Sequence, residues 1–501
     1  MLSVRRYGSL SRAFVFLGIR HFSFSRKQHL PSRCAALLPR HSGNPFKTSF
    51  LVFPHQTGNS GRSSGIRHYS SSSAPRSVSL DNSLFYPSLD SLVDLSDYLK
   101  NGCNWREAPS CPDYVGPISI ARTPDGRGRG LYVTCNVKAG DILIMNNAFA
   151  ATYNDVQSIE LYAKISAIVK QSPEALRKFY CLGGYDYHDD MEVPNVKLFD
   201  SNSNYKESNT PRDLQFDEKR IMHIMNVNSF EGDLYSTDTQ QPATRLTGVW
   251  FLPSFINHSC SPNSSRLVVG EAMFIIASRD IAEKEEITIS YIDGMFPLKI
   301  REEKLAAMGY GFHCQCRRCE AERSVQSELK EYSSQYHELY ENAALEVQGA
   351  VTSTVHTHIE NCPACTELSA VYDGILGKLN SLSSLTNLEK QWILGGYSSA
   401  FLAKWLVCGY ASGFSPPSDF ATPQALQLVE AMKATVPGML RTLSFATMLA
   451  TAAQKDKNQV FALVHRLIQL ALDECIRVYG KQKFDVVSKL MEQSAEFVPF
   501  F

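Results

Sequence analysis

The chain has 501 residues, of which 44% are hydrophobic and 20% are charged. This is the composition of a globular protein, and the length suits about three domains of roughly 150 residues. No apolar run reaches the roughly 20 residues that a bilayer-spanning helix needs.

The formal net charge is zero, but residues 1–80 carry twelve Lys and Arg and no acid, which leaves a net charge of −12 on the remainder. An acidic surface attracts basic peptides, although many domains are acidic for solubility alone. We therefore expect neither membrane insertion nor direct binding of nucleic acid.

Residues 1–80 have the composition of a transit peptide, because they are rich in Arg and Ser and contain no acid. Residues 2–20 intersperse four arginines with apolar residues, which suits an amphipathic helix. Residues 20–23 (Arg-His-Phe-Ser) and 67–70 (Arg-His-Tyr-Ser) resemble mitochondrial processing sites. We expect mitochondrial targeting. The alternative is a disordered basic tail on a nuclear or cytoplasmic protein.

Three of the thirteen cysteines, Cys314, Cys316 and Cys319, have C-x-C-x-x-C spacing. In a chain of this length, such spacing favours a metal site or reduced thiols over a disulfide framework. Cys260 is a natural fourth ligand, since four thiolates form a closed tetrahedral zinc site. A redox function for the three clustered thiols is the alternative.

A second cluster comprises His356, His358, Cys362 and Cys365, with H-x-H-x3-C-x2-C spacing. This spacing is compatible with another zinc site. Surface residues with reduced thiols are the alternative, and the sequence leaves both interpretations open.

The predicted secondary structure changes character along the chain. Alternating or continuous short apolar runs predict strands at 118–120, 131–133, 141–144, 266–269, 272–277 and 287–290. Residues 151–235 are interpreted as a helical, polar insert with loops rich in Asn, Ser and Asp. From residue 320 to the end, apolar residues recur at helical spacing, most clearly at 425–432 and 460–479.

Four segments carry the residues of chemical interest. Residues 126–131 read Gly-Arg-Gly-Arg-Gly-Leu, and glycines let a backbone turn sharply and approach a ligand closely. Residues 251–263 join an apolar run to Asn-His-Ser-Cys-Ser-Pro-Asn. Residues 285–293 form an acidic turn and a strand that ends near a tyrosine. Residues 309–319 read Gly-Tyr-Gly-Phe-His-Cys and continue into the cysteine run.

In this order and at these separations, the four segments resemble the SET and post-SET motifs of protein-lysine methyltransferases. The resemblance covers about residues 115–320. Asn226-Val227-Asn228-Ser229-Phe230 and the helical C-terminal part resemble the SET-and-MYND subgroup more loosely. The paired ligands of a MYND zinc finger are missing, because Cys181 is the one cysteine between residues 150 and 228.

The resemblance implies an α+β fold in which a mostly β SET core is followed by an α-helical, TPR-like C-terminal domain. The expected boundaries are 115–300 for the SET domain, 301–322 for the post-SET zinc segment and 323–501 for the C-terminal domain. The SET domain includes the helical insert at about 151–235.

The resemblance also implies the site residues. Tyr291 would be the catalytic tyrosine, and Tyr310 would line the lysine channel beside it. Contacts with S-adenosylmethionine are expected from Arg127, Gly128, Arg129, Asn228, Asn257, His258, Tyr291 and Phe312. A structural zinc ion would be held by Cys260, Cys314, Cys316 and Cys319.

The function expected from this resemblance is methyl transfer from S-adenosylmethionine to a lysine of a histone or non-histone protein. A SET-derived scaffold with weak activity, in which the helical part does the binding, is the rival hypothesis. The sequence does not name the target lysine, the number of methyl groups or the oligomeric state.

Overall fold

The computed structural model describes residues 113–155, 158–184, 192–205, 214–234, 244–308, 312–336, 338–339, 363–398, 423–439 and 461–480, with a few positions from 442 to 449. The predicted targeting segment, Tyr310 and the second cluster of His356, His358 and Cys362 lie outside these residues, as does the side chain of Cys365. Within the described part, no helix is both long and apolar enough to cross a membrane.

The described chain begins with strands, continues through an insert, returns to strands and ends in helices. The strands are β1 (Tyr114–Val115), β2 (Ile118–Arg122), β3 (Arg129–Val133), β4 (Ile142–Asn147), β5 (Ala150–Tyr153), β6 (Ser229–Leu234), β7 (Thr244–Val249), β8 (Asn257–His258), β9 (Ser264–Val269), β10 (Ala272–Ala277) and β11 (Glu286–Ile289). The helices are α1 (Ile159–Gln171), α2 (Pro173–Tyr180), α3 (Glu218–Asn228), α4 (Leu298–Ala307), α5 (Arg317–Ser324), α6 (Pro363–Ser381), α7 (Asn387–Gly396), α8 (Pro423–Thr435) and α9 (Phe461–Tyr479). The α+β class predicted from the sequence is confirmed.

Three small sheets form the β core, with strand orders β1-β4-β10-β9, β2-β3-β11-β8 and β5-β7-β6. Neighbouring strands run antiparallel, with one exception: β8 lies parallel to β11, with Asn257 opposite Thr288 and His258 opposite Ile289. This parallel pair brings the Asn-His segment beside the strand that leads to Tyr291.

Strand β10 separates two hydrophobic cores, which explains why all six of its residues are buried. Phe274 and Ile276 pack into the core that contains the C-terminal helices. Met273 and Ile275 face the core of the SET-like region and its insert. A strand covered on both faces is expected to be continuously apolar rather than alternating. The strand predicted at 272–277 is therefore confirmed.

The insert is only partly helical. Helices α1, α2 and α3 match the prediction, but β5 and β6 lie at its two ends and pair through β7. The sequence interpretation missed this sheet because β6 reads Ser-Phe-Glu-Gly-Asp-Leu, which lacks a β-branched residue and contains glycine and acids. Its strand geometry comes from pairing with β7 along all six residues.

Helix starts within this fold are fixed by local capping groups. Ser172 accepts a hydrogen bond from the Ala175 N–H at 3.1 Å, and Pro173 begins α2. Thr386 and Glu389 form a reciprocal capping box at α7. Each such cap stabilises a helix by about 1 kcal/mol.

Helices α7 and α8 pack closely at Gly395, where an added Cβ would lie 2.0 Å from the Thr435 Oγ1 and 2.8 Å from the Ala431 carbonyl oxygen. We expect Gly395→Ala to lower the free energy of unfolding by about 1–3 kcal/mol, because overpacking forces the helices apart. Gly377→Ala is the matched control, since this exposed glycine of α6 has nothing within 4 Å of its Cβ position. The control should be neutral or stabilising by up to ~1 kcal/mol. Chemical denaturation of both variants measures the effect. Equal denaturation midpoints for Gly395→Ala and Gly377→Ala would contradict the close packing of α7 on α8.

Candidate functional site

The glycine turn adopts a backbone conformation that its sequence makes possible. Gly126 and Gly128 have φ values of 74° and 92°. The Thr123 N–H closes the turn by donating to the Gly128 carbonyl at 2.9 Å. A Cβ at Gly130 would lie 2.6 Å from Glu286 Oε1 and 3.0 Å from Asn257 Nδ2. Gly130 therefore permits the close approach of three segments that are distant in sequence.

A hydrogen-bonded network joins this turn to the Asn-His segment. Arg127 donates to Asp125 at 2.5 Å and to Glu286 Oε2 at 2.7 Å. Asn257 Nδ2 donates to Glu286 Oε1 at 2.8 Å and to the Arg129 carbonyl at 2.9 Å. Burial opposes the charged form of Arg127, but the hydrogen bonds that it donates to Asp125 and Glu286 outweigh this effect and raise its pKa. Glu286 thus sits at the centre of the network, a role that the sequence interpretation did not assign.

Arg129 points to the insert rather than to the acidic network. Its guanidinium donates to the Glu192 carbonyl at 2.9 Å and lies over the Phe255 ring, 5.2 Å from the centroid. Burial lowers the pKa of this guanidinium. The two arginines therefore attach the glycine turn to different parts of the fold. Arg127 binds Glu286 of β11, and Arg129 binds the Glu192 carbonyl of the insert.

Asn263, the last residue of the Asn-His-Ser-Cys-Ser-Pro-Asn string, holds the loop that carries Cys260 against β11. Its Oδ1 accepts the Thr288 N–H at 2.8 Å, and its Nδ2 donates to the Glu286 carbonyl at 2.7 Å. The side chain is only 1% exposed. The Asn263 side chain thus bonds to two backbone groups of β11, the Thr288 N–H and the Glu286 carbonyl. The sequence motif alone did not predict this role.

The His258 ring lies between the candidate catalytic residue and the cysteine cluster. The Tyr291 N–H donates to Nδ1 at 3.0 Å, so Nδ1 is unprotonated. Burial lowers the pKa of His258 to about 4, which keeps the ring neutral. The ring proton is therefore on Nε2, which lies 3.2 Å from Cys260 Sγ. Both ring nitrogens of His258 therefore already have partners within the protein. We expect a ligand beside His258 to bind its backbone groups rather than its ring nitrogens.

Tyr291 is half-buried beside His258, with ring centroids 5.3 Å apart. Its hydroxyl donates to the Ile256 carbonyl at 2.7 Å, which fixes the direction of the O–H bond. Phe312 also lies near His258, with 6.0 Å between the ring centroids. Tyr291, His258 and Phe312 thus form one aromatic cluster.

Asn228 has different partners from the other predicted cofactor residues. It is buried at the end of α3, and its Nδ2 donates to the Gly183 and Ile224 carbonyls at 2.8 and 2.7 Å. These contacts anchor the start of β6. Of the predicted cofactor residues, the structure links the glycine turn to Asn257, and His258 to Tyr291 and Phe312. Asn228 is held separately.

The four predicted cysteines come together. The Sγ atoms of Cys260, Cys314, Cys316 and Cys319 lie within 4.8 Å of one another. Zinc–sulfur bonds near 2.3 Å would set tetrahedral sulfurs about 3.8 Å apart, so the spacing already approaches that of a zinc site. Hydrogen bonds with neighbouring sulfurs raise the pKa of Cys260 and lower that of Cys316. A bound divalent cation would allow all four to be thiolates.

A cleft of about 890 Å³ separates the loop after Cys260 from the C-terminal helices. Arg279 and Arg466 line it, but they pair with Glu285 at 2.5 Å and Glu430 at 2.8 Å. The cleft is thus not an unneutralised basic patch. Glu286 lines this cleft, but its partners Arg127 and Asn257 do not, and neither does Tyr291.

Comparison with known proteins agrees with this geometry. Residues 128–292 match the family model described as the SET domain. The chain is 36% identical over 113 residues to a SET and MYND domain-containing protein of Dictyostelium discoideum, with 22% of each chain covered. It is 38% identical over 108 residues to the Arabidopsis thaliana histone-lysine N-methyltransferase ASHR1, covering 21% of this chain and 22% of the relative.

A second Arabidopsis thaliana protein, histone-lysine N-methyltransferase ATXR2, is 43% identical over 93 residues, with 18% of each chain covered. The alignments thus span about a fifth of the length of these relatives. Each of them concerns about a fifth of this chain. The chain therefore carries a SET domain at residues 128–292 and is homologous to SET-and-MYND proteins and histone-lysine methyltransferases.

Proposed function

We propose that this protein is a protein-lysine N-methyltransferase that uses S-adenosylmethionine. The observation that carries the proposal is the shared placement of three motifs. The glycine turn is bonded to Asn257 through Glu286, and the neighbouring His258 is bonded to Tyr291. Asn257 and His258 are adjacent residues of β8. The first is bonded to the glycine turn, and the second is bonded to the backbone of Tyr291.

The chemistry requires an uncharged amine. S-adenosylmethionine supplies a methyl group on a positively charged sulfur, and the lysine nitrogen displaces that sulfur while one amine proton leaves to solvent. A free lysine has a pKa near 10.4 and is mostly charged at neutral pH. A desolvated aromatic channel lowers this pKa. In-line approach at roughly 3–3.5 Å then needs positioning rather than a strong base.

Tyr291 is suited to that positioning. Because its O–H bond is directed at the Ile256 carbonyl, its oxygen presents lone pairs to other neighbours. These lone pairs can accept a hydrogen bond from the amine and so orient its own lone pair toward the methyl group. The proposed role of the residue is therefore orientation by an acceptor oxygen.

We propose zinc as the ion of the cysteine site. Four thiolates leave no open position for water, so this ion would be structural and would not activate a nucleophile. It would cross-link Cys260, which follows the Asn-His strand, to the three cysteines near Phe312. The ion would thereby hold the two segments that flank the aromatic cluster.

The proposed activity is tested by incubating the purified full-length protein with methyl-labelled S-adenosylmethionine and two protein pools, core histones and a mitochondrial extract. The expected result is label on a defined lysine, and the labelled pool identifies the substrate class. No label in either pool, with binding of S-adenosylmethionine also absent, would favour the scaffold hypothesis.

We also propose mitochondrial import through residues 1–80, on the grounds of their acid-free, Arg- and Ser-rich composition. A fluorescent fusion carrying residues 1–80 should co-localise with mitochondria. A fusion that stays cytosolic would contradict import and favour a nuclear or cytoplasmic substrate.

Gly130→Ala is expected to weaken binding of S-adenosylmethionine by about 5- to 150-fold. The new Cβ would displace Glu286 and Asn257, and an overpacking cost of about 1–3 kcal/mol, if it falls on the bound state, corresponds to that loss of affinity. Calorimetric titration measures the effect, and Gly377→Ala serves as the control. Unchanged affinity in Gly130→Ala would show that the glycine turn does not contact the cofactor.

A further inference from the structure

A buried group of charges adjoins the cysteine site. Arg301 and Arg318 are 0% exposed, and Glu322 is 6% exposed. Arg301 Nη1 and Arg318 Nε each lie 2.9 Å from Glu322 Oε1. One carboxylate thus faces two guanidinium groups in the interior.

The charges of this cluster do not balance by themselves. Two cations and one anion leave a surplus positive charge, and an uncompensated buried charge is costly. Arg301 Nη2 lies 3.4 Å from Cys319 Sγ and can donate to it. A zinc ion with four thiolates has a net charge of −2. The surplus positive charge offsets half of that, and the His258 Nε2–H donates toward the sulfur of Cys260.

The same cluster holds the chain that follows Tyr291. Arg318 donates to the Gly294 and Phe296 carbonyls at 2.6 and 3.1 Å, and to the Cys260 carbonyl at 3.0 Å. Glu322 Oε2 accepts the Leu298 N–H at 2.8 Å. Residues 294–298 are therefore bonded to side chains from the helix that carries Cys319.

The C-terminal helices contact this cluster directly. At Gly396 of α7, an added Cβ would lie 3.0 Å from Arg318 Nη2 and 3.1 Å from the Phe296 carbonyl oxygen. Arg318 is thus in position to connect the metal site, the segment after Tyr291 and α7.

We propose that Arg301, Arg318 and Glu322 form the outer shell of the metal centre. They stabilise its anionic thiolates and make the order of residues 294–298 depend on the bound metal. This inference rests on the proposed zinc occupancy and not on methyl transfer, so it would hold equally for a scaffold protein. The competing explanation is an ion cluster that stabilises the fold whether or not metal is bound.

The variant that separates these explanations is Arg301→Met in the full-length chain, which removes the charge and the N–H groups but keeps a long side chain. Outer-shell partners typically contribute 10- to 100-fold to metal affinity. We expect faster zinc transfer to a chromogenic chelator and zinc affinity lower by about that factor. The melting temperature should fall more in the zinc-loaded protein than in the zinc-stripped protein.

Arg317→Met is the matched control. Arg317 begins the helix that carries Arg318, Cys319 and Glu322, but it is 63% exposed and pairs with Glu389 at 3.2 Å. The Arg317→Met variant should release zinc at the same rate as the wild type. Equal zinc release by wild type and Arg301→Met, or an equal loss of melting temperature with and without metal, would overturn the proposal. Absence of zinc in the wild-type protein would instead refute the zinc centre itself.

A measurement on the wild type keeps the proposal testable if Arg301→Met does not fold. Hydrogen exchange at the Leu298 N–H should accelerate at least tenfold when zinc is removed, because its acceptor Glu322 loses its place. The amides of α3, which is distant in sequence from all four cysteines, should keep their protection. No acceleration at Leu298, or the same acceleration in α3, would overturn the coupling.

Discussion

Tyr291→Phe is expected to reduce methyl transfer by about 10²–10³-fold, the usual effect of removing one preorganised polar group from a catalytic site. The hydroxyl is fixed by its bond to the Ile256 carbonyl at 2.7 Å, so its oxygen is held in one place. Phenylalanine keeps the ring that packs beside His258. Binding of S-adenosylmethionine should therefore change little, and stability should fall by about 1 kcal/mol for the lost hydrogen bond.

Single-turnover labelling and calorimetric titration of the same preparation separate the two effects. Tyr153→Phe is the matched control, because the Tyr153 hydroxyl donates to Glu271 at 2.8 Å on a different sheet. The control should retain full methyl transfer. A Tyr291→Phe protein as active as wild type would remove Tyr291 from the proposed mechanism.

The elements that the sequence predicted well share one physical property. Strand β10 is a continuous apolar run, as expected for a strand buried on both faces, and β11 and helix α9 carry apolar residues at strand and helix spacing. The convergence of the four cysteines was also predictable, because a zinc site of this class would need thiols and few residue types can replace them. Three of its members lie within six residues, and Cys260 completed the set.

What could not be predicted was set by tertiary contacts between polar residues. Arg317 and Arg318 are adjacent and chemically identical, yet the first is 63% exposed and the second 0%. A short helix that reads Arg-Arg-Cys-Glu-Ala-Glu-Arg-Ser looks solvated in sequence. The burial of Arg318 follows from partners 22 to 58 residues away, Phe296, Gly294 and Cys260. Glu286 was missed for the same reason, since an acid next to Glu285 resembles a surface pair.

The site and the cysteine cluster are mechanically connected through His258. Its Nδ1 holds the Tyr291 backbone, and its Nε2 faces Cys260 Sγ. A shift of Cys260 would therefore be transmitted to Tyr291 through a single rigid ring. The geometry of the cysteine cluster therefore bears on the position of Tyr291, the residue proposed to orient the lysine.

Cys319→Ser is expected to abolish zinc binding and to destabilise the protein by several kcal/mol. Structural zinc sites contribute about 10–16 kcal/mol of apparent binding free energy in small peptides, and this energy supports folding. Serine is a poor ligand for zinc, and the position is 0% exposed. The loss should extend to Tyr291, so cofactor-dependent methyl transfer should fall with zinc content. Metal analysis, melting temperature and labelling are measured on one preparation.

The control for that variant is Cys475→Ser, which introduces the same hydroxyl at another buried thiol, 6% exposed in α9. Burying an unpaired hydroxyl costs about 1–3 kcal/mol by itself. The control should therefore lose some stability but retain one zinc ion per chain. If both variants keep zinc and lose equal stability, Cys319 is an ordinary core residue. If only Cys319→Ser loses zinc and its methyl transfer falls in proportion, Cys319 belongs to a metal site, and the position of Tyr291 depends on the same ion.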